Sequence, residues 1–162
     1  MGNLLEQAFD RGAHHYLPEM FSVSQPNLSW LIAKQGAKFA LPQLPDRILL
    51  SKKLNLCFEL KMCQGLSFAT DRLEPHQRSA LEKFAKYAGK AFLLFGFNHS
   101  TIAIAIGIFN YERILQGIST KVIHYPADFP QGDFLEIPVE IPRSQPRLNL
   151  SIFLPPKEKA LF

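Results

Sequence analysis

This chain has almost no means of cross-linking itself. Its 162 residues include two cysteines, Cys57 and Cys63. On one extended strand these lie roughly 20 Å apart at about 3.3 Å per residue, too far for a disulfide. Without suitably spaced histidines two cysteines make no zinc site, so reduced structural thiols are expected. No apolar run reaches membrane-spanning length. The opening Met-Gly-Asn-Leu-Leu-Glu lacks the charged-then-apolar pattern of a signal peptide and the Ser/Thr of a myristoylation site. A cytoplasmic protein with no membrane partner is expected. Internal repeats, low-complexity segments and a polybasic tail are all missing. The 18 Lys and Arg against 14 Asp and Glu give a net charge of +4, which is compatible with a nucleic-acid partner without establishing one. The length fits one domain, residues 1–162.

What the sequence does contain is an acidic residue followed, 13 positions later, by Glu-x-Lys. Residues 46–50 (Asp-Arg-Ile-Leu-Leu) and 55–62 (Asn-Leu-Cys-Phe-Glu-Leu-Lys-Met) are apolar enough for strands, and residues 51–54 have hairpin length. Alternation puts Leu56, Phe58, Leu60 and Met62 on one face and Cys57, Glu59, Lys61 and Cys63 on the other. A hairpin returns Asp46 to the neighbourhood of Glu59, so two carboxylates and a lysine converge. This trio suits phosphodiester hydrolysis. A hard cation such as Mg²⁺ takes one or two carboxylates plus waters and phosphate. Asp46 and Glu59 are its candidate ligands, with the Leu60 carbonyl, and Lys61 is placed to act on water or offset charge. Taken alone, the same spacing also describes an ion pair on the solvated face of an amphipathic strand.

Around this centre the chain reads as follows. Residues 4–16 are helical, with Leu4, Leu5, Ala8, Phe9, Gly12 and Ala13 on one stripe. Glu6 lies just off that stripe, where it either reaches a metal on a neighbouring sheet or complements the helix N-terminus. His14 and His15 close the helix and, pointing about 100° apart, make a poor ligand pair. Residues 17–44 are mixed, with a short helix expected over 27–34 around a core Trp30. Lys34 and Lys38 are candidate phosphate contacts or solvated lysines. Pro75 starts a second helix with Ala80, Leu81, Phe84, Ala85 and Ala88 inward and Gly89 as its stop. Arg72, Arg78, Lys83 and Lys86 offer phosphate contacts there, or a solvated face. Residues 91–97 read as a strand buried on both faces. Residues 102–109 form a second such run, 98–101 a turn between them, and 111–116 a short helix. From residue 125 onward the recurring prolines exclude long helices and central strands, so extended edge segments in an irregular wrap are expected.

The order helix, hairpin, Glu-x-Lys, helix, strand resembles the PD-(D/E)xK nuclease superfamily, and within it the RecU-type Holliday junction resolvases. Gly2-Asn3-Leu4-Leu5-Glu6 with His15-Tyr16-Leu17 resembles the family's first helix. Asp46 with Phe58-Glu59-Leu60-Lys61 resembles the catalytic set. Ser67-Phe68 with Pro75-His76-Gln77 and Leu81 resembles the segment that follows, and Ala91-Phe92-Leu93-Leu94-Phe95 the next strand. The resemblance implies an α/β restriction-endonuclease-like core, a central mixed β-sheet flanked by helices. It also implies a homodimer that resolves four-way DNA junctions with Mg²⁺ or Mn²⁺. Asp46 and Glu59 are then metal ligands, Lys61 acts on water, Glu6 completes the acidic cluster and Gln77 supports the site. Two other readings stay open: the same centre acting on flaps, duplex ends or a restriction site, and a non-catalytic DNA-binding module on the same fold.

Overall fold

The structure is a computed structural model that describes residues 4–24, 44–98 and 100–155. The expected helix over 27–34, Trp30, Lys34 and Lys38 lie outside the described residues.

The chain begins with α1 (Leu4–Tyr16) and β1 (Phe21–Ser24). A hairpin of β2 (Arg47–Leu50) and β3 (Leu56–Cys63) follows, then the short β4 (Ser67–Ala69), α2 (Pro75–Tyr87) and β5 (Lys90–Phe97). Next come β6 (Ile102–Gly107), α3 (Ile108–Gly117), β7 (Val122–His124), β8 (Phe134–Glu140) and β9 (Arg147–Leu148). Seven strands form one sheet in the order β1-β2-β3-β5-β6-β8-β9, and β4 pairs with β7 apart from it. Within the large sheet β3 and β5 are parallel and the other pairs are antiparallel. The sheet is therefore mixed.

Helices cover both faces, which is why the central strands are apolar without alternation. On one face α1 buries Leu5, Ala8, Phe9 and Ala13 against Leu56, Phe58 and Leu60. Phe9 is fully buried edge-on against Phe58, with ring centroids 4.8 Å apart; burial of such a side chain contributes roughly 1.5–3 kcal/mol. The stripe read from the sequence holds except at its first member, since Leu4 is exposed. Gly12 lets the helix lie directly on β9: a Cβ there meets the Leu148 carbonyl oxygen at 2.2 Å. On the other face α2 and α3 cover Cys57, Leu93, Phe95, Ile104 and Ile106. Cys57 and Cys63 are free and buried.

Two expectations are corrected. The apolar run over 102–109 does not stay a strand to its end. It leaves the sheet at Gly107, and α3 starts at Ile108, three residues before the helix read over 111–116. Ile108, Tyr111 and Ile114 are the buried side of α3, so its first apolar residues continue a helical stripe, which short apolar runs do not distinguish from a strand. The second correction is β8, seven residues long with Pro138 inside it, which lies between β6 and β9 rather than at an edge. Val139 N–H donates to Thr101 O at 2.8 Å, toward β6. Pro138 therefore turns its ring nitrogen toward β9, whose pairing is limited to Val139 and Glu140. The missing donor costs no ladder bond, and the Pro138 carbonyl still accepts from Asn149 N–H at 2.9 Å.

Candidate active centre at the end of the β2–β3 hairpin

Register decides what the hairpin brings together. Arg47 pairs with Phe58, Ile48 with Cys57 and Leu49 with Leu56. One step further, Asp46 stands beside Glu59 and Leu60. Pro45 has no N–H to extend the ladder. The Leu60 N–H, which a continuing ladder would give to a β2 carbonyl, donates instead to the Asp46 side chain, at 2.8 Å from Oδ2. In a strand the N–H and C=O of one residue face the same edge, so the Leu60 carbonyl is directed to the Asp46 side as well.

Glu59 is 2 % exposed and is the one buried charged residue among those described. Its Oε1 receives Lys61 Nζ at 2.9 Å and the Gln77 amide nitrogen. Lys61 Nζ also donates to Gln77 Oε1 at 3.0 Å, so glutamate, lysine and glutamine close a triangle. Burial raises the Glu59 pKa, the nearby Asp46 charge raises it further, and Lys61 opposes both. Helix α2 delivers Gln77. Glu74 caps the helix and Gln77 sits at its third position, completing a capping box in which Glu74 N–H donates to Gln77 Oε1 at 3.1 Å. One amide thus starts the helix and holds the two strand side chains.

The donor set fits a hard divalent cation. Asp46 Oδ1 and Glu59 Oε2 carry no protein hydrogen bond among the described residues, since each carboxylate spends only its other oxygen. A buried carboxylate whose proton affinity a neighbouring carboxylate raises is what a cation relieves, and Mg²⁺ needs no more than one or two carboxylates besides water. No group of three or more His, Cys, Asp and Glu side chains gathers among the described residues. Glu6 sits instead with Arg47, at 3.5 Å from Nη2. The same guanidinium holds both oxygens of Asp10 (2.7 and 3.0 Å) and the Asp46 carbonyl (2.8 Å). Arg47 was not singled out from the sequence, where it reads as an ordinary strand cation; only the sheet register reveals it as the tie between α1 and the centre.

The basic candidates fare unevenly. Arg72 donates to Met62 O at 2.8 Å, closing the free edge of β3 two residues beyond Leu60, and lies over the Phe68 ring. Arg78 is paired with Glu82 and Glu112. Lys86 lies over the Tyr87 ring, and Lys83 is exposed.

Gln77 admits a clean separation of roles. Gln77→Ala is expected to lower stability by about 1 kcal/mol through the lost cap and to slow cleavage by roughly tenfold to a hundredfold. Gln77→Glu keeps an oxygen to accept from the Glu74 N–H but sets a carboxylate against Glu59 and cannot donate to it. Its melting temperature should stay below that of wild type at neutral pH and recover as acid protonates the pair, while cleavage stays slow at every pH. Wild-type melting and cleavage in Gln77→Glu would reduce Gln77 to a helix cap.

A family model described as Recombination protein U matches residues 2–142. No curated relative matches the sequence. Among solved structures, the chain is similar to Archaeoglobus fulgidus Hjc, described as a Holliday junction resolvase from an archaeal hyperthermophile. The TM-score is 0.51 at 15% identity, covering 80% of this chain and 92% of that one. At that identity the likeness concerns the fold, a mixed central sheet flanked by helices with a restriction-endonuclease-like core.

Proposed function

We propose that this chain, which belongs to the Recombination protein U family, is an endonuclease that resolves Holliday junctions, using Mg²⁺ or Mn²⁺ held by Asp46, Glu59 and the Leu60 carbonyl. The observation that carries this reading is the Glu59–Lys61–Gln77 triangle set against Asp46 at the end of the hairpin. When bound, the cation supplies Lewis acidity: it stabilises charge on phosphoryl oxygens and lets water attack near neutral pH. Glu59 and Asp46 each keep one oxygen for it. Lys61 has three donors and spends two, on Glu59 and Gln77; the third holds the attacking water or a phosphate oxygen. Arg47 fixes the backbone of Asp46, and Glu6 acts through Arg47 rather than as a ligand.

Paired nicks across a junction need two such centres, and a two-fold homodimer supplies them. A cytoplasmic location goes with DNA as partner, and among the described residues no helix is long and apolar enough to cross a membrane. The test is cleavage of a labelled synthetic four-way junction with Mg²⁺, beside matched linear duplex, Glu59→Gln and an EDTA control. Symmetric paired nicks in the junction, lost in both controls, are expected. Equal cleavage of linear duplex would transfer the centre to another DNA substrate, and binding without nicks would leave a DNA-binding module.

A further inference from the structure

Resting on the endonuclease reading above, we propose that the cleft between the last turns of α1 and residues 142–147 is a phosphodiester-binding groove. It seats a stretch of DNA backbone away from the scissile bond and is joined to the cleavage centre through Arg47.

The cleft has a volume of about 830 Å³ and is open to solvent. Arg11, His14 and His15 line it from the helix, and Arg143 and Arg147 from the opposite wall. Asp10 is the acidic residue in its lining. That charge is already met, since both carboxylate oxygens of Asp10 are held by Arg47. The remaining lining is cationic or neutral.

The walls are fixed before any ligand arrives. Arg11 Nε donates to Pro146 O at 2.7 Å, bridging the two sides. Arg147 Nε donates to Glu140 Oε2 at 2.7 Å, and its guanidinium lies 5.4 Å from the centre of the Tyr16 ring. Arg143 is different. It is exposed and makes no hydrogen bond or ion pair among the described residues. Its backbone is left-handed, φ 50° and ψ 42°, and Ser144 follows at φ 65°. Non-glycine residues held there cost free energy that the surrounding structure must offset, and such residues gather at ligand sites. A planar guanidinium with unused donors suits phosphate oxygens, and backbone contacts set register without reading sequence.

The alternative basic face is weaker. On α2, Arg78 is neutralised by two glutamates, so that helix presents less net charge than its sequence suggests. The cleft also leads to the chemistry, because the Arg47 that holds Asp10 holds the Asp46 carbonyl as well.

The test measures equilibrium binding of a four-way junction in EDTA, with no cleavage, as a function of salt. Wild type is compared with Arg11→Gln, Arg143→Gln, their double variant, Arg143→Lys and Arg113→Gln. Each phosphate contact contributes close to one unit to the slope of log K against log salt. Arg143→Gln and Arg11→Gln are each expected to flatten the slope by about one, and the double variant by about two. Arg143→Lys should restore the wild-type slope. Arg113→Gln, which removes from α3 the ion-pair partner of Asp133, should leave it unchanged. A steep wild-type slope that neither cleft variant alters overturns the groove and leaves the endonuclease reading intact. A flat wild-type slope overturns both. Thermal melts identify any variant whose fold has changed, and Arg143, with no side-chain partner among the described residues, is the variant on which the decision rests.

Discussion

Asp46→Asn is expected to lose divalent-ion-dependent cleavage by roughly a thousandfold or more, while the protein without metal becomes more stable. Asn keeps an oxygen to accept from Leu60 N–H, so the backbone lock at 2.8 Å survives. What disappears is one of the two negative charges proposed to hold the cation. The pH dependence follows in sign. Burial and then the Asp46 charge raise the Glu59 pKa above the ordinary carboxylate value. The folded chain therefore binds this proton more tightly than the unfolded chain does. The stabilisation is fully present below the unfolded pKa and is lost as pH rises through the folded one. Removing the Asp46 charge lessens that loss. In EDTA at neutral pH the variant should gain on the order of 1 kcal/mol, roughly 2–4 °C in Tm for a chain of this size. Added Mg²⁺ should raise the melting temperature of wild type, by preferential binding to the folded state, and not that of Asp46→Asn. Junction cleavage and melts with and without Mg²⁺ check all three points. Full activity in the variant would remove Asp46 from the centre.

Gly12→Ala should be severely destabilising although it lies inside a helix, where that exchange ordinarily stabilises by about 1 kcal/mol. A Cβ at Gly12 lands 2.2 Å from the Leu148 carbonyl oxygen and 3.2 Å from its carbon. These are backbone atoms of β9, which no rotamer change can move. Separating α1 from β9 is expected to cost roughly 3 kcal/mol. The net loss of about 2 kcal/mol lowers Tm by roughly 4–8 °C. Gly117→Ala, in α3 where nothing lies within 4 Å of the added carbon, is the control and should be neutral or stabilising. An unchanged melt for Gly12→Ala would mean that α1 does not lie this close to β9.

Much of this arrangement was legible in the residues. The stripe of α1 gave its bounds, and the alternation in β3 put Glu59 and Lys61 on one face and Phe58 and Leu60 on the other, as found. Gly89 ends α2, with a reason only the structure supplies: a Cβ there meets Asn55 O at 2.2 Å. Other features depend on partners distant in sequence. Pro138 was read as a bar to a central strand, because a missing N–H is costly only where a partner awaits it, and β9 is too short to be that partner. Strands β4 and β7 have three residues each, too few for any periodicity to show. Ile108 and Phe109 extend an apolar run without a break, so the sequence carries no sign of the turn from sheet to helix. At the centre, the Asp46–Glu59 proximity followed from hairpin geometry, whereas Arg47 acquires its meaning from α1, more than 30 residues earlier in the chain.

One aromatic contact bears on the order in which this protein comes into being. Phe153 lies edge-on against both Phe58 and Phe92, at 5.2 and 5.0 Å between ring centroids, on the face of β3 opposite Glu59. Synthesis runs from the N-terminus, so Asp46, Glu59, Lys61 and Gln77 have all emerged while the residues that cover the underside of their strand are still untranslated. The side chains of the proposed centre are made early and their floor late. A half-made chain thus carries Asp46, Glu59, Lys61 and Gln77 without the packed sheet that aims them, and that floor is complete only with the closing turn at Leu150–Phe153.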